Sequence, residues 1–195
     1  MNGFVLAGGR STRMGRDKAL LQYAGRPLIE HAVQLLNKAG FAPHIVGSRP
    51  DLCAYAHIIE DRHPACGPLG GIEAALASSD SEWNAFLPVD LPHLPVAFLQ
   101  YLRQRAAITA AAATIPLIAG RPQPLCAVYH RSLLAGISRS IEKQDFKVMH
   151  GIAGAVPASE IDMFNVESVI TAYNHSFSLP LYRWFHNLNT PQDLA

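Results

Sequence analysis

Residues 6–21 read LAGGRSTRMGRDKALL: two glycines, a basic and hydroxyl-bearing segment, a third glycine and a lysine, all following a short apolar run. A glycine-rich turn after a first strand can aim several backbone N–H groups at one anion, because glycine permits conformations and close approaches denied to other residues. The pattern is neither the dinucleotide fingerprint GxGxxG nor a GxxxxGK loop completed by Ser or Thr. What remains is a loop in which Arg13 and Lys18 bring fixed positive charge to a phosphate chain and Ser11 and Thr12 add hydroxyl donors. The same residues also suit a tight strand-to-helix turn with a solvated basic edge, the reading kept for Arg10 and Arg16. A second stretch, FLPVDLP at 86–92, ends an apolar run in Asp90. A lone carboxylate at the carboxyl end of a strand suits a hard cation such as Mg²⁺, whose remaining ligands are waters and substrate phosphates. Asp90 is equally suited to capping or turn formation before Pro92 and Pro95. Asp61, closing IIED at 58–61, poses the same choice between turn residue and ligand acceptor.

Other chemistries are disfavoured. The nine histidines show no HxH or HExxH spacing, and Cys53, Cys66 and Cys126 are odd in number and lack CxxC spacing, so neither a metal cluster nor a disulfide framework is expected. Cys126 reads as a small buried residue, and Trp83, Trp184 and Tyr182 read first as core packing. Sixteen Lys plus Arg against fifteen Asp plus Glu leave a formal charge of +1, which argues against a long nucleic acid or an anionic membrane as partner. No charged-then-apolar leader and no membrane span are recognised, and a cytoplasmic location is expected.

The elements that must position these residues alternate between strand and helix. Apolar runs at 4–7, 44–47, 57–60 and 85–89 read as strands, and 27–39, 69–78 and 96–106 as helices. Such alternation argues for a mostly parallel sheet covered on both faces, with ligands at the strands' carboxyl ends. Residues 112–118 and 124–129 flank a turn-prone AGRPQ and read as a hairpin, which makes the sheet partly mixed. Helices are expected at 132–143 and, more weakly, 145–155; 159–178 shows no clear period, 181–185 reads as a strand, and Thr190-Pro191 as a helix start. At 49% hydrophobic content and 195 residues, with no repeat or linker, a single domain spanning 1–195 is expected.

LAGGRSTRMGRDKALL followed by GRPLIEHAVQLL resembles the signature of nucleotidyltransferases that attach a nucleotide to molybdopterin, and most closely the molybdenum cofactor guanylyltransferases. IIED at 58–61, GPLGGIEAAL at 67–76, LPVDLPHLP at 87–95 and FHNLNTPQDL at 185–194 are similar to further family segments, in order. Residues from about 105 to 180 carry little that matches. The resemblance implies a Rossmann-like, three-layer α/β nucleotidyltransferase fold, GTP and molybdopterin as substrates, Mg²⁺ as cofactor, and GMP transfer with release of pyrophosphate. It further implies that Leu6, Ala7 and Gly8 lie along the nucleotide, that Lys18 contacts its phosphates and that Asp61 helps bind guanosine; Gly9 joins the substrate-binding candidates through its backbone beside Gly8. Asp90 would hold Mg²⁺, and Asn187 and Asn189 would face the pterin or the metal, although an Asn-rich loop before Thr190-Pro191 is also good capping chemistry.

Where relatives often place an asparagine after the second strand this chain has Gly47-Ser48-Arg49, and no nucleotide contact is assigned there. The Gly8-Gly9 pair favours guanine over cytosine, since cytidylyl members tend to read LAAG. A phosphate nucleophile is already anionic near neutral pH and needs no general base. Catalysis is then expected to be electrostatic, shared by Arg13, Lys18, the Gly8-Gly9 backbone and the cation on Asp90. A cytidylyl- or sugar-phosphate nucleotidyltransferase and a non-catalytic nucleotide-binding partner in cofactor insertion remain the alternatives. Transient contact with molybdoenzymes or other cofactor-biosynthesis proteins is also expected.

Overall fold

The computed structural model describes residues 1–8, 17–173 and 180–188. The chain opens with β1 (Asn2–Leu6), a 3₁₀ turn over Lys18–Leu20, a small ribbon of β2 (Gln22–Tyr23) and β3 (Arg26–Pro27), and α1 (Leu28–Lys38). Next come β4 (Ala42–Val46), β5 (His57–Ile59), α2 (Gly67–Ser78), β6 (Trp83–Pro88) and α3 (Val96–Thr109). The second half holds β7 (Ala113–Ile118), β8 (Arg121–Pro122), β9 (Ala127–His130), α4 (Leu134–Glu142), α5 (Val148–Ala153), β10 (Ile161–Asn165), α6 (Val166–Tyr173) and α7 (Leu181–Trp184).

The main sheet runs in the order β10-β7-β9-β6-β1-β4-β5, with β8 folded back on β7. The pairs β1–β4, β1–β6, β4–β5 and β7–β10 are parallel, whereas β9 is antiparallel to both β6 and β7. The mixed character expected from AGRPQ is present: Ala119 and Gly120 take φ of +47° and +72°, the twist that a tight two-residue hairpin requires. The Ala119 N–H is held by Glu167 Oε1 at 2.8 Å.

Two hydrophobic layers sandwich the sheet, which makes a three-layer α/β fold. Val5, Ile45 and Leu87 face the layer that includes Leu28, Ile29 and Leu36 of α1 and Leu99 and Leu102 of α3. Phe4, Val46 and Phe86, one residue out of phase, face Leu69, Ile72 and Leu76 of α2, with Ile137 of α4 and Ile152 of α5 beyond. Strands buried on both sides explain why these segments read as continuous apolar runs. No helix among the described residues is long and apolar enough to cross a membrane.

Two expectations are corrected. Leu181–Trp184 is a short helix rather than a strand: Trp184 is buried on Phe98 while Tyr182 faces solvent, a helical rather than an alternating pattern. The stretch taken as lacking a period contains β10 and α6. Its strand is fixed by pairing with β7 nearly fifty residues upstream in register Ile161↔Ala113 to Asn165↔Leu117, and by a two-bond clamp from Arg105 Nε and Nη2 to Asp162 at 2.6 and 2.7 Å.

Candidate active site

The strand order turns at β1, which has β4 on one side and β6 on the other. Loops leaving β1 and its neighbours therefore diverge, and a crevice opens beyond their carboxyl ends. A cleft of about 500 Å³ lies there, floored by Leu6, Val46 and Pro88 from the three strand ends. Gly8, Lys18, Asp61, Asp90 and Asn187, five of the residues singled out by sequence, line it as well.

Asp90 lies two residues past β6 and is only 8% exposed, fixed between buried Val89 and Leu91. Its Oδ2 accepts a hydrogen bond of 2.5 Å from Lys18 Nζ, which joins the first loop to the β6 loop across 72 residues of sequence. Lys18 is delivered by the 3₁₀ turn, which Asp17 caps by accepting the Ala19 N–H on Oδ1 at 3.0 Å. The Asp90 carbonyl takes the Leu188 N–H at 3.3 Å, which ties down the closing segment and brings its Asn187 to the cleft.

Asp61 follows β5 and accepts the His63 N–H on Oδ1 at 2.8 Å, so its turn role and its place on the cleft coexist. Gly70 of α2 packs against this turn: a Cβ there would come within 2.6 Å of the His63 carbonyl and 3.1 Å of Asp61 Oδ1. The amino end of α2, at Gly67 and Pro68, also opens on the cleft, and the unpaired N–H groups of a first helical turn carry partial positive charge. Gly47 has φ of +139° and lies against Gly8, to whose nitrogen a Cβ would come within 3.1 Å. Ala7 stands behind the lining, buried, with its N–H bonded to the Val46 carbonyl at 3.1 Å. Gly9, Ser11, Thr12, Arg13 and Asn189, with Arg10 and Arg16, lie outside the described residues.

Sequence reasoning missed two parts of this region. Gln123, Pro124, Leu125 and Cys126, between β8 and β9, form one wall of the cleft; they carry no motif, and only the hairpin brings them back to it. Cys126 itself is inert, since burial pushes its thiol up to about 12. The second is Arg49, whose guanidinium pairs with Asp17 and, from Nη2 at 2.6 Å, with Asp51. These carboxylates, the Asp51 hydrogen bond foremost, raise the guanidinium further above its ordinary range.

The arrangement presents one ammonium, one nearly buried carboxylate and one positive helix end around a common space, with amides of Asn187 and Gln123 nearby. No group of three or more His, Cys, Asp or Glu converges among the described residues.

Comparison with known proteins agrees with this geometry. The model of the MobA-like NTP transferase domain matches residues 3–154. A Halalkalibacterium halodurans protein named probable molybdenum cofactor guanylyltransferase is 33% identical over 205 residues, covering 99% of this chain and 95% of the relative. The molybdenum cofactor guanylyltransferase of Vibrio cholerae is 29% identical over 98% of this chain and 88% of the relative. Among solved structures, molybdopterin-guanine dinucleotide biosynthesis protein A of Archaeoglobus fulgidus superposes with a TM-score of 0.78 at 26% identity, covering 100% of this chain and 95% of that one. With its α/β fold and strand-end cleft, the chain belongs to the MobA-like NTP transferases and, among them, to the molybdenum cofactor guanylyltransferase family; it is a nucleotidyltransferase.

Proposed function

We propose that the protein transfers GMP from GTP to molybdenum-loaded molybdopterin, releasing pyrophosphate and forming the guanine dinucleotide form of the cofactor. The observation that carries this reading is the meeting of Lys18 and Asp90 at the switch point of the sheet. A cation for phosphates and a carboxylate for a hard metal stand there within one hydrogen bond of each other. The names of the relatives supply the base and the acceptor.

The terminal phosphate oxygen of molybdopterin forms a bond to the α-phosphorus of GTP while the bond from that phosphorus to the bridging oxygen breaks, and the electron pair leaves with pyrophosphate. Repulsion between two anions is the barrier that the protein must lower. In this reading Lys18 turns from Asp90 to the phosphates, and the Gly8 backbone and the amino end of α2, both on the cleft, offer N–H groups to the charge that develops on the leaving group. Asp61 and Asn187 line the cleft, and the family resemblance assigns the first to the guanosine portion and the second to the pterin or the metal. Arg13 is assigned to the same phosphates for its fixed positive charge on the first loop, and Asn189 to the acceptor from the family resemblance. Asp90 fits Mg²⁺, a hard ion that completes its shell with phosphates and water rather than with a protein cage. When bound, Mg²⁺ supplies charge neutralisation at the triphosphate.

Asp90→Ala and Lys18→Ala are each expected to lower turnover by at least ~10²-fold, the usual loss on removing one charge-stabilising group. Pyrophosphate release measured on purified, folded variants tests this, and near-wild-type turnover in Asp90→Ala would remove the metal role.

A further inference from the structure

We infer that Arg49 is a positioning residue for nucleotidyl transfer: by gripping Asp17 it fixes the turn that carries Lys18 into the cleft. The inference rests on Lys18 being the phosphate partner proposed above.

Arg49 follows β4, and its guanidinium reaches two carboxylates at once. Nη1 donates to Asp17 Oδ1 at 3.0 Å and Nη2 donates to Asp17 Oδ2, while Nε and Nη2 donate to Asp51 at 2.9 and 2.6 Å. Asp17 Oδ1 is shared with the Ala19 N–H, the bond that starts the Lys18–Leu20 turn. Contacts thus run from Arg49 to Asp17, from Asp17 to the Ala19 N–H in the turn that carries Lys18, and from the Lys18 side chain to Asp90.

Arg49 does not line the cleft, and its charge already faces two carboxylates, so a direct hold on phosphate is not its role. The planar fork suits the task, because a lysine could satisfy only one of these geometries at a time. Two residues earlier the same loop places Gly47 against Gly8. The loop after β4 therefore holds Gly8 and Asp17, the two described residues that bracket 9–16 in the sequence.

A double-mutant cycle on the full chain tests the inference, with pyrophosphate release giving kcat and KM for GTP separately and circular dichroism reporting folding. Arg49→Ala is expected to lower kcat/KM about tenfold in the wild-type background and less than about twofold in a Lys18→Ala background, as coupled neighbours behave. Asp17→Asn, which keeps an oxygen for the Ala19 N–H but loses the ion pair, should couple to Lys18→Ala in the same way and serves if Arg49→Ala does not fold. Equal losses in both backgrounds, or no loss in a folded Arg49→Ala, would overturn the inference. If Lys18→Ala alone leaves kcat/KM unchanged, the phosphate role of Lys18 fails instead, a separate result.

Discussion

Lys18 and Asp90 neutralise one another across the cleft, and this has a consequence for metal binding. A cation arriving at Asp90 competes with an ammonium already 2.5 Å away, and a unit charge is worth ~4 kcal/mol even at 4 Å for an effective dielectric of about 20. Removing the ammonium should therefore strengthen metal binding in the absence of nucleotide, although Lys18 is no metal ligand. Mn²⁺ titrated into nucleotide-free Lys18→Gln and followed by the resonance of the free ion should bind at least about fivefold more tightly than to wild type. Equal affinities would show that Lys18 does not guard Asp90. At this scale much was legible in the sequence. Lys18, Asp61 and Asp90 each follow a glycine-rich loop or an apolar run, so type and position together mark them. Arg49 was not legible, because its partner Asp17 lies 32 residues upstream and only the parallel pairing of β1 and β4 brings their loops together.

The closing segment of the chain, α7 with Asn187 and Leu188, carries a pH dependence of its own. His93 sits in the loop after Asp90, edge-on to Tyr23, which meets His31 edge-on as well. Burial, then the charges of Arg183 and His186 on the closing segment, hold the His93 imidazole below its ordinary value. A histidine so depressed is neutral in the folded chain while the unfolded chain still takes up the proton, so stability rises with pH in that range. The penalty is absent above the unfolded value near ~6.5 and grows as pH falls below it. Thermal unfolding of wild type should drop more steeply below about pH 6.5 than that of His93→Gln; parallel profiles would exclude the effect. Elements formed by local pattern, such as α1 and the strand pair β1 and β6, were readable from periodicity. Two kinds were not. LYRW is rich in aromatic residues and only four residues long, so its one buried side chain, Trp184, gives no helical period. IDMFN becomes a strand only by pairing with β7, a long-range contact with no local signature.

Across the whole molecule, site and stability separate on the two ends of the sheet order. The cleft gathers the ends of β1, β4 and β6, the turn after β5, the Gln123–Cys126 wall and Asn187, whereas the β7–β10 edge is fastened by Arg105, which clamps Asp162, donates to Tyr101 at 2.9 Å and lies 4.5 Å over the Phe164 ring. Arg105→Ala removes charge-assisted bonds in a partly exposed setting and should cost about 1–3 kcal/mol, or roughly 3–10 °C in Tm, for a chain of this size. Turnover at 25 °C should be unchanged, since Arg105 is not part of the cleft lining; a matching loss of kcat would show the two ends to be coupled. The fold class was foreseeable from strand–helix alternation, while the Gln123–Cys126 wall, which lacks any motif, required the chain's path. That wall, the Lys18–Asp90 pair and the amino end of α2 border one cleft. The most direct measurement is pyrophosphate release with molybdate-loaded molybdopterin, offered GTP or CTP in turn with Mg²⁺. The account predicts stoichiometric release with GTP and little with CTP; faster release with CTP, or none with either, would contradict it.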